Sequence, residues 1–277
     1  MPREEDIEDL YASGGYRSEN GKRFNPVIEL FIYLSRVLRK RRIKKYVPGG
    51  TVLDIGCGRG LFLDIMKRDG WAIAGVEADA ETARDISMAH HIPVVSGGPA
   101  EWGFLEESFD VITMNHVLEH LHDPGEMVGQ CGRLLRKGGL LVCATPNIAS
   151  LQAAAGKGLW FHLDIPYHIY HFSEAGLIKL LKAHSFRMVR VRRFDLEYGP
   201  FGWLQTLLNL CGTTRNYLYM MLKKPELRTL APHNIRQLDM PLTLLLLPFF
   251  LPLACLFSVF ESFLKRGGSI EVYAVRD

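Results

Sequence analysis

Two carboxylates, three alternating glycines and two groups of histidines are the residues of this 277-residue chain whose types and spacing could do chemistry. Asp54 stands two residues before Gly56 in "VLDIGCGRG", and Gly58 and Gly60 follow. A strand-to-helix turn built on such glycines lets backbone N–H groups and a ligand come close without Cβ clashes. A carboxylate just ahead of that turn is placed to meet a cationic amino group. Glu77 closes "AIAGVE", where an acidic side chain can accept hydrogen bonds from both hydroxyls of a ribose. The histidines fall in "NHVLEHLH", with His116, His120 and His122 around Glu119, and in "HLDIPYHIYHF", with His162, His168 and His171. Imidazole changes charge near neutral pH, which makes it the natural base for taking a proton from a hydroxyl.

The elements that must position these groups are also legible. Thr51 to Ile55 reads as a short buried strand. Leu61, Phe62, Ile65 and Met66 mark the apolar side of a helix, Gly70 ends it, and "AIAGVE" is the next strand. Continuously apolar strands joined by a helix indicate a parallel sheet covered on both faces. "SFDVITMNHVLEH" falls where a fourth strand and its loop belong, and "LLRKGGLLVCATPN" carries the fifth. "FRMVRVRRFDL", Phe186 to Leu196, alternates as a sixth strand, and "SIEVYAVRD", Ser269 to Asp277, reads as a seventh.

Together, "VLDIGCGRG", "GVEAD", "SFDVITMNHVLEH" and "LLRKGGLLVCATPN" resemble the class I S-adenosylmethionine-dependent methyltransferases, over Thr51 to Asn147. The resemblance implies a doubly wound, seven-stranded, mostly parallel Rossmann-like α/β sheet, with S-adenosyl-L-methionine as cofactor. It implies that Asp54 holds the methionine amino group and that Gly56, Gly58 and Gly60 line the methionine and ribose. It further implies that Glu77, with Ala78 beside it, binds the ribose diol, and that Asn115 and His116 face the methionine end. The chain departs from the family pattern at "SGGPAEW". Pro99 stands where many relatives carry an Asp aimed at the adenine amine. That leaves the adenine to backbone around Ala100 and Glu101 and to stacking on Trp102.

The atom that receives the methyl is less directly written. Enzymes that methylate exocyclic amines of DNA bases often carry Asn/Asp-Pro-Pro-aromatic after the fourth strand; "NHVLEH" stands there instead and argues against that chemistry. Transfer to an oxygen needs a base and an aligned hydroxyl. His171, His168 and His120 are the candidate catalytic residues, as base or substrate clamp. "HIYHFS" is similar to a run in bacterial methyltransferases of the glycan- and lipid-modifying kind. His116 to His120 also fits H-x-x-E-H on a helix, where positions four apart share a face and could share a metal. The ubiquinone-biosynthesis O-methyltransferases are similar here and use a divalent metal. In the other reading Glu119 and His120 brace the loop, and no metal site is assigned.

Composition bounds the rest. Net charge is +3, and the basic run from Arg36 to Lys45 lacks interleaved aromatics, so a nucleic-acid partner is not expected. Five scattered cysteines without a C-x-x-C pair read as free thiols in a reducing compartment. The acidic start has no apolar run, so no secretory signal is expected and the enzyme is placed in the cytoplasm.

Against that soluble character stands Pro241 to Phe260, an uncharged stretch about as long as a bilayer crossing requires. It lies in the roughly 70 residues between the last two strands, far more than a hairpin needs. Both strands belong to one cytosolic sheet, and a single crossing would leave the last unable to pair. The excursion must therefore return to the side it left. It is a re-entrant hairpin, an interfacial layer, an even-numbered span, or a helical subdomain that packs on the sheet or forms a dimer face. Pro248 and Pro252 suggest a broken path, with Gly199 to Leu222 as its partner. Lys223, Lys224, Lys265, Arg266 and the basic run are placed for anionic headgroups. The chain thus divides into a helical segment (1–47), a methyltransferase domain (48–196 plus 269–277) and an apolar helical insertion (197–268). The expected function is O-methylation of a lipid-linked or amphiphilic acceptor. The enzyme would be peripheral or monotopic at the inner face of the cell membrane, as a monomer or a homodimer. The alternatives are a quinone-type, metal-assisted O-methyltransferase and a non-catalytic membrane-associated scaffold.

Overall fold

The computed structural model describes residues 24–223 and 235–277; Lys224 and the acidic N-terminal stretch lie outside them. The helices among the described residues are α1 (Pro26–Ile43), α2 (Leu61–Arg68), α3 (Ala80–His90), α4 (Pro124–Leu134), α5 (Leu151–Gly156), α6 (Glu174–Ala183), α7 (Tyr198–Leu210), α8 (Tyr217–Leu222) and α9 (Asp239–Phe263). The strands are β1 (Thr51–Ile55), β2 (Ala72–Val76), β3 (Val94–Val95), β4 (Phe109–Asn115), β5 (Leu135–Pro146), β6 (Phe186–Arg192) and β7 (Ser269–Arg276). The chain forms two compact units. A sheet unit takes Tyr33–Thr145, Glu174–Arg192 and Glu271–Asp277; a helical unit takes Met1–Ile32, Pro146–Ser173 and Arg193–Ile270.

In the sheet unit the strands run in the order β3-β2-β1-β4-β5-β7-β6. β1 pairs in parallel with β2 and β4, and β4 with β5. β7 runs antiparallel to β6, with Phe186 opposite Arg276 and Arg192 opposite Glu271. The seventh strand is therefore back beside the sixth, as the connectivity argument requires. The core joins Val52, Val111, Leu140 and Val142 of the sheet to Phe62, Leu63 and Met66 of α2 and Ile86 of α3. Burying each such side chain stabilises by about 1.5–3 kcal/mol. Local signals set the helix starts. Asp79 accepts from Thr82 N at 2.8 Å to begin α3. Asp123 accepts from Glu126 N at 2.8 Å to begin α4, with Pro124 in its first turn.

Four of the seven basic residues from Arg36 to Lys45 are tied to carboxylates of the sheet unit. Arg39 is 3% exposed and its Nε donates to Glu271 Oε1 at 3.0 Å. Arg42 reaches the other oxygen of Glu271 at 3.1 Å. Lys40 and Lys44 both hold Asp69 at 2.7 Å, which keeps that carboxyl below its ordinary range.

The helical unit is built on α7 against α9. Trp203, Leu204 and Leu208 bury with Ala254, and Leu246, Leu247, Phe250 and Phe257 pack around them. The Trp203 and Phe257 rings lie 5.0 Å apart. Gly199 approaches Ser258 so closely that a Cβ has no room. Gly199 to Leu222 does supply the partner, but the path is not broken: α9 is one 25-residue helix with Pro248 and Pro252 inside it. The two prolines are four apart, so the donors they remove lie on one side while the rest of the ladder holds. It is the one helix among the described residues long and apolar enough to cross a bilayer.

It is apolar on its outer side as well as on the side packed against α7. Thr243, Ala254, Ser258 and Glu261 are buried, whereas Leu244, Leu245, Phe249, Leu256, Phe260 and Phe263 are exposed, Phe249 by 70% and Phe263 by 81%. A helix on a water-facing surface presents a polar outer side instead. Glu261 Oε1 accepts from Gly268 N at 2.8 Å and ties the helix end to the residue before β7.

Candidate active site

The parallel strands β1, β2 and β4 end together, and the glycine turn leaves that edge. Gly56 N and Cys57 N both donate to Val76 O, at 2.8 and 3.0 Å. Gly56, Gly58 and Gly60 have φ of 69°, 55° and 68°, a region that favours glycine. At Gly56 the Val117 side chain also fills the space a Cβ would take; at Gly58 nothing lies within 4 Å, so the surface there is open to a ligand. Burial pushes the Cys57 thiol well up, so it is inert within this loop.

The charged groups line the same edge. Asp54 is buried and accepts from Thr113 Oγ1 on the neighbouring β4. Burial raises its carboxyl to about 6, against the pull of the Thr113 hydrogen bond and of Arg39 and Arg36. Glu77 follows β2; its Oε2 accepts from Gly58 N at 2.8 Å and its Oε1 from Ala78 N at 3.1 Å. An ionised carboxylate has about four acceptor positions, enough to serve backbone donors and a diol on one side chain. Asn115 ends β4 and its Oδ1 accepts from Arg39. His116 comes next at φ 56°, its N donating to Ala144 O at 2.8 Å.

The expected adenine side is a turn, Pro99 to Glu101, in which Glu101 N donates to Gly98 O at 2.9 Å and Ala100 is exposed. Trp102 is not open for stacking. It is buried, its Nε1 donates to Gly97 O at 2.9 Å and its ring packs near Phe104. An indole with its polar edge satisfied inside is core, not platform.

The histidines divide between the units. In the sheet unit, Leu118–His120 is a single 3-10 turn and His116 precedes it. The shared-face helix that H-x-x-E-H requires does not form. Glu119 is buried and its Oε1 meets His116 Nδ1 at 3.1 Å, a brace across the loop; His120 is half-buried at the end of that turn. In the helical unit, His168 Nδ1 meets His162 O at 2.8 Å and His171 Nε2 meets Leu163 O at 2.9 Å. A carbonyl only accepts, so these nitrogens carry the hydrogens. In the neutral rings the lone pairs then lie on His168 Nε2 and His171 Nδ1. Such backbone anchoring is how a general base is oriented.

Two residues at the cofactor edge escaped sequence reasoning. Thr113 is one of an apolar strand's few polar residues, and only the register opposite Asp54 gives it meaning. Arg39 lay hidden among seven basic residues; its four-residue spacing from Ser35 and from Ile43 gains meaning only once both are known to be buried. Arg39→Ala removes the buried guanidinium shared by Glu271 and Asn115 and leaves Glu271 to Arg42 and the Tyr273 hydroxyl. We expect a loss of about 1–3 kcal/mol in urea denaturation, with weaker binding of S-adenosylhomocysteine in calorimetry.

A sheet of this order, with a glycine turn and acids after β1 and β2, defines the class I, Rossmann-like methyltransferase fold. A family model described as a methyltransferase domain matches residues 29–191, and the chain belongs to that family of S-adenosylmethionine-dependent methyltransferases. A ubiquinone biosynthesis O-methyltransferase of Mesorhizobium japonicum is 33% identical over 216 residues, covering 72% of this chain and 80% of that protein. One from Caulobacter vibrioides is 34% identical over 150 residues, covering 48% and 56%. The chain spans little more than half the length of that relative and of several others. The crystal structure of an S-adenosylmethionine-dependent methyltransferase from Archaeoglobus fulgidus superposes with a TM-score of 0.52 at 21% identity, covering 87% of this chain and 94% of that one; it shares the fold. The residues fit S-adenosyl-L-methionine: a buried acid for an ammonium, an acid after β2 for a ribose diol, and an open glycine surface between them.

Proposed function

We propose that this protein methylates the oxygen of a lipid-linked or amphiphilic acceptor, working from the cytoplasmic face of a membrane on which α9 rests. The observation that carries the reading is the exposed apolar outer face of α9, in the same unit as the histidine segment 146–173. S-adenosyl-L-methionine supplies a methyl group on a sulfonium, a reactive electrophile with a neutral leaving group. The chain has to hold and align it and to remove the acceptor proton. Asp54 fixes the ammonium, Glu77 the ribose, and Asn115 and His116 border the methionine end. His171 Nδ1 would take the proton of the acceptor hydroxyl, freeing the oxygen to receive the methyl group. His168 or His120 clamps the acceptor.

His171→Gln keeps an N–H donor for Leu163 O but no base. It should lower kcat about 100- to 10,000-fold while S-adenosylhomocysteine affinity stays at the parental value. A matching loss of that affinity would make His171 structural instead. The acceptor class is tested by incubating the enzyme with membrane lipid extract and isotopically labelled cofactor, then reading the lipids by mass spectrometry. Label confined to water-soluble products rejects the lipid-acceptor reading. The names of the Mesorhizobium and Caulobacter relatives favour a second reading, a quinone-type, metal-assisted enzyme; activity abolished by a chelator and restored by a divalent cation would select it. Failure to bind S-adenosylhomocysteine at all would leave a non-catalytic scaffold.

A further inference from the structure

We infer that the outer face of α1 is a second lipid-contact surface, one that selects anionic over zwitterionic bilayers. The inference rests on the membrane-associated reading above and extends it to a different helix. α1, like α9, turns apolar residues outward. Ile32, Ser35, Arg39 and Ile43 are buried, while Leu30, Phe31, Leu34 and Leu38 are exposed. Those four recur at helical spacing and make one stripe. The stripe runs on into charge: Arg41 and Lys45 follow Leu38 by three and seven residues, and both are exposed.

The ion pairs separate these two cations from their neighbours. Arg39, Lys40, Arg42 and Lys44 are engaged with Glu271 or Asp69. Arg41 and Lys45 pair with no acid among the described residues. An apolar stripe that leads into unpaired cations is complementary to acyl chains lying beside anionic headgroups. A second copy of the chain laid on the same stripe would meet no acid there to offset those charges.

The test sediments the full chain with phosphatidylcholine vesicles and with vesicles that also contain phosphatidylglycerol. Arg41→Glu/Lys45→Glu should weaken partition onto the anionic vesicles on the order of tenfold or more and leave partition onto the zwitterionic ones unchanged. Both positions are exposed, so an unaltered melting temperature confirms that folding is intact. A double reversal that binds anionic vesicles as tightly as the parent overturns the inference and leaves the α9 reading standing. A parent protein that sediments with neither vesicle removes the α9 reading, and this one with it. If light scattering shows a dimer that Leu34→Asp/Leu38→Asp converts to a monomer with unchanged vesicle binding, the face belongs to a second copy and the inference fails.

Discussion

Asp54→Asn should melt several degrees higher than the parent in the absence of ligand, while its affinity for S-adenosylhomocysteine falls about a hundredfold or more. Both effects come from one buried carboxyl. Burial lifts it from 3.8 to about 6, so the folded protein at neutral pH holds an ionised group that the environment disfavours. A tenfold change in acidity corresponds to about 1.4 kcal/mol, and keeping this carboxyl ionised thus costs roughly 3 kcal/mol at pH 7. The folded value lies above the unfolded one. The contribution is therefore fully favourable below pH 3.8 and is lost as pH rises to about 6. Asparagine removes that slope and still accepts from Thr113 through its Oδ1. With roughly 2–4 °C per kcal/mol for a chain of this size, a rise of about 6–12 °C is expected. Ligand affinity moves the other way, because the methionine ammonium loses a charge-assisted partner. In the parent, affinity should weaken as pH falls through about 6 and a proton competes for Asp54. Scanning fluorimetry and calorimetry across pH 4–8 read both, the window being that of an acid raised to about 6. A variant that melts below the parent would show that Asp54 supports the fold rather than straining it.

The sheet was legible because its signals are local. Thr51–Ile55 and Ser269–Arg276 fall where alternation and apolar runs predict strands, since a buried parallel strand needs continuous apolar residues and an edge pair tolerates polar ones. The glycine turn and its two acids were legible because their roles follow from sequence neighbours. What the chain hid depends on long-range packing. Arg39 meets Glu271 from 232 positions away, and no local pattern separates it from Lys40 or Arg41. The Trp102 reading failed because exposure is not written in residue type: an aromatic beside a ligand loop is as easily a plug behind it. The prolines of α9 misled for a related reason. A proline removes a donor in any helix, yet the bonds of a long helix packed along α7 outlast two losses on one side. The helical reading of His116 to His120 failed because the backbone turns at a positive φ at His116, which counting residues cannot reveal.

Phe249→Ser/Phe260→Ser should uncouple the two halves of the proposed activity. Phe249 is 70% exposed and Phe260 56% exposed, so neither holds the fold, and stability should change by no more than about 0.5 kcal/mol. If the face rests in lipid, each ring buries against acyl chains for about 1.5–3 kcal/mol. Removing both lowers vesicle partition roughly a hundredfold or more. Methylation of a vesicle-borne acceptor falls in step, because acceptor and site no longer share a surface, while S-adenosylhomocysteine binds as in the parent. The same change should reduce the need for detergent during purification. Chain connectivity adds a constraint: β7 pairs with β6 along Phe186 to Arg192, so α9 meets lipid only if the chain returns to the sheet's own side. An interfacial helix satisfies this and a single crossing does not. Reporter groups placed near Arg236 and Lys265, at the two ends of α9, should thus stay accessible from one side of a sealed vesicle. Labelling of the two from opposite sides would overturn the interfacial reading, because α9 would then span the bilayer.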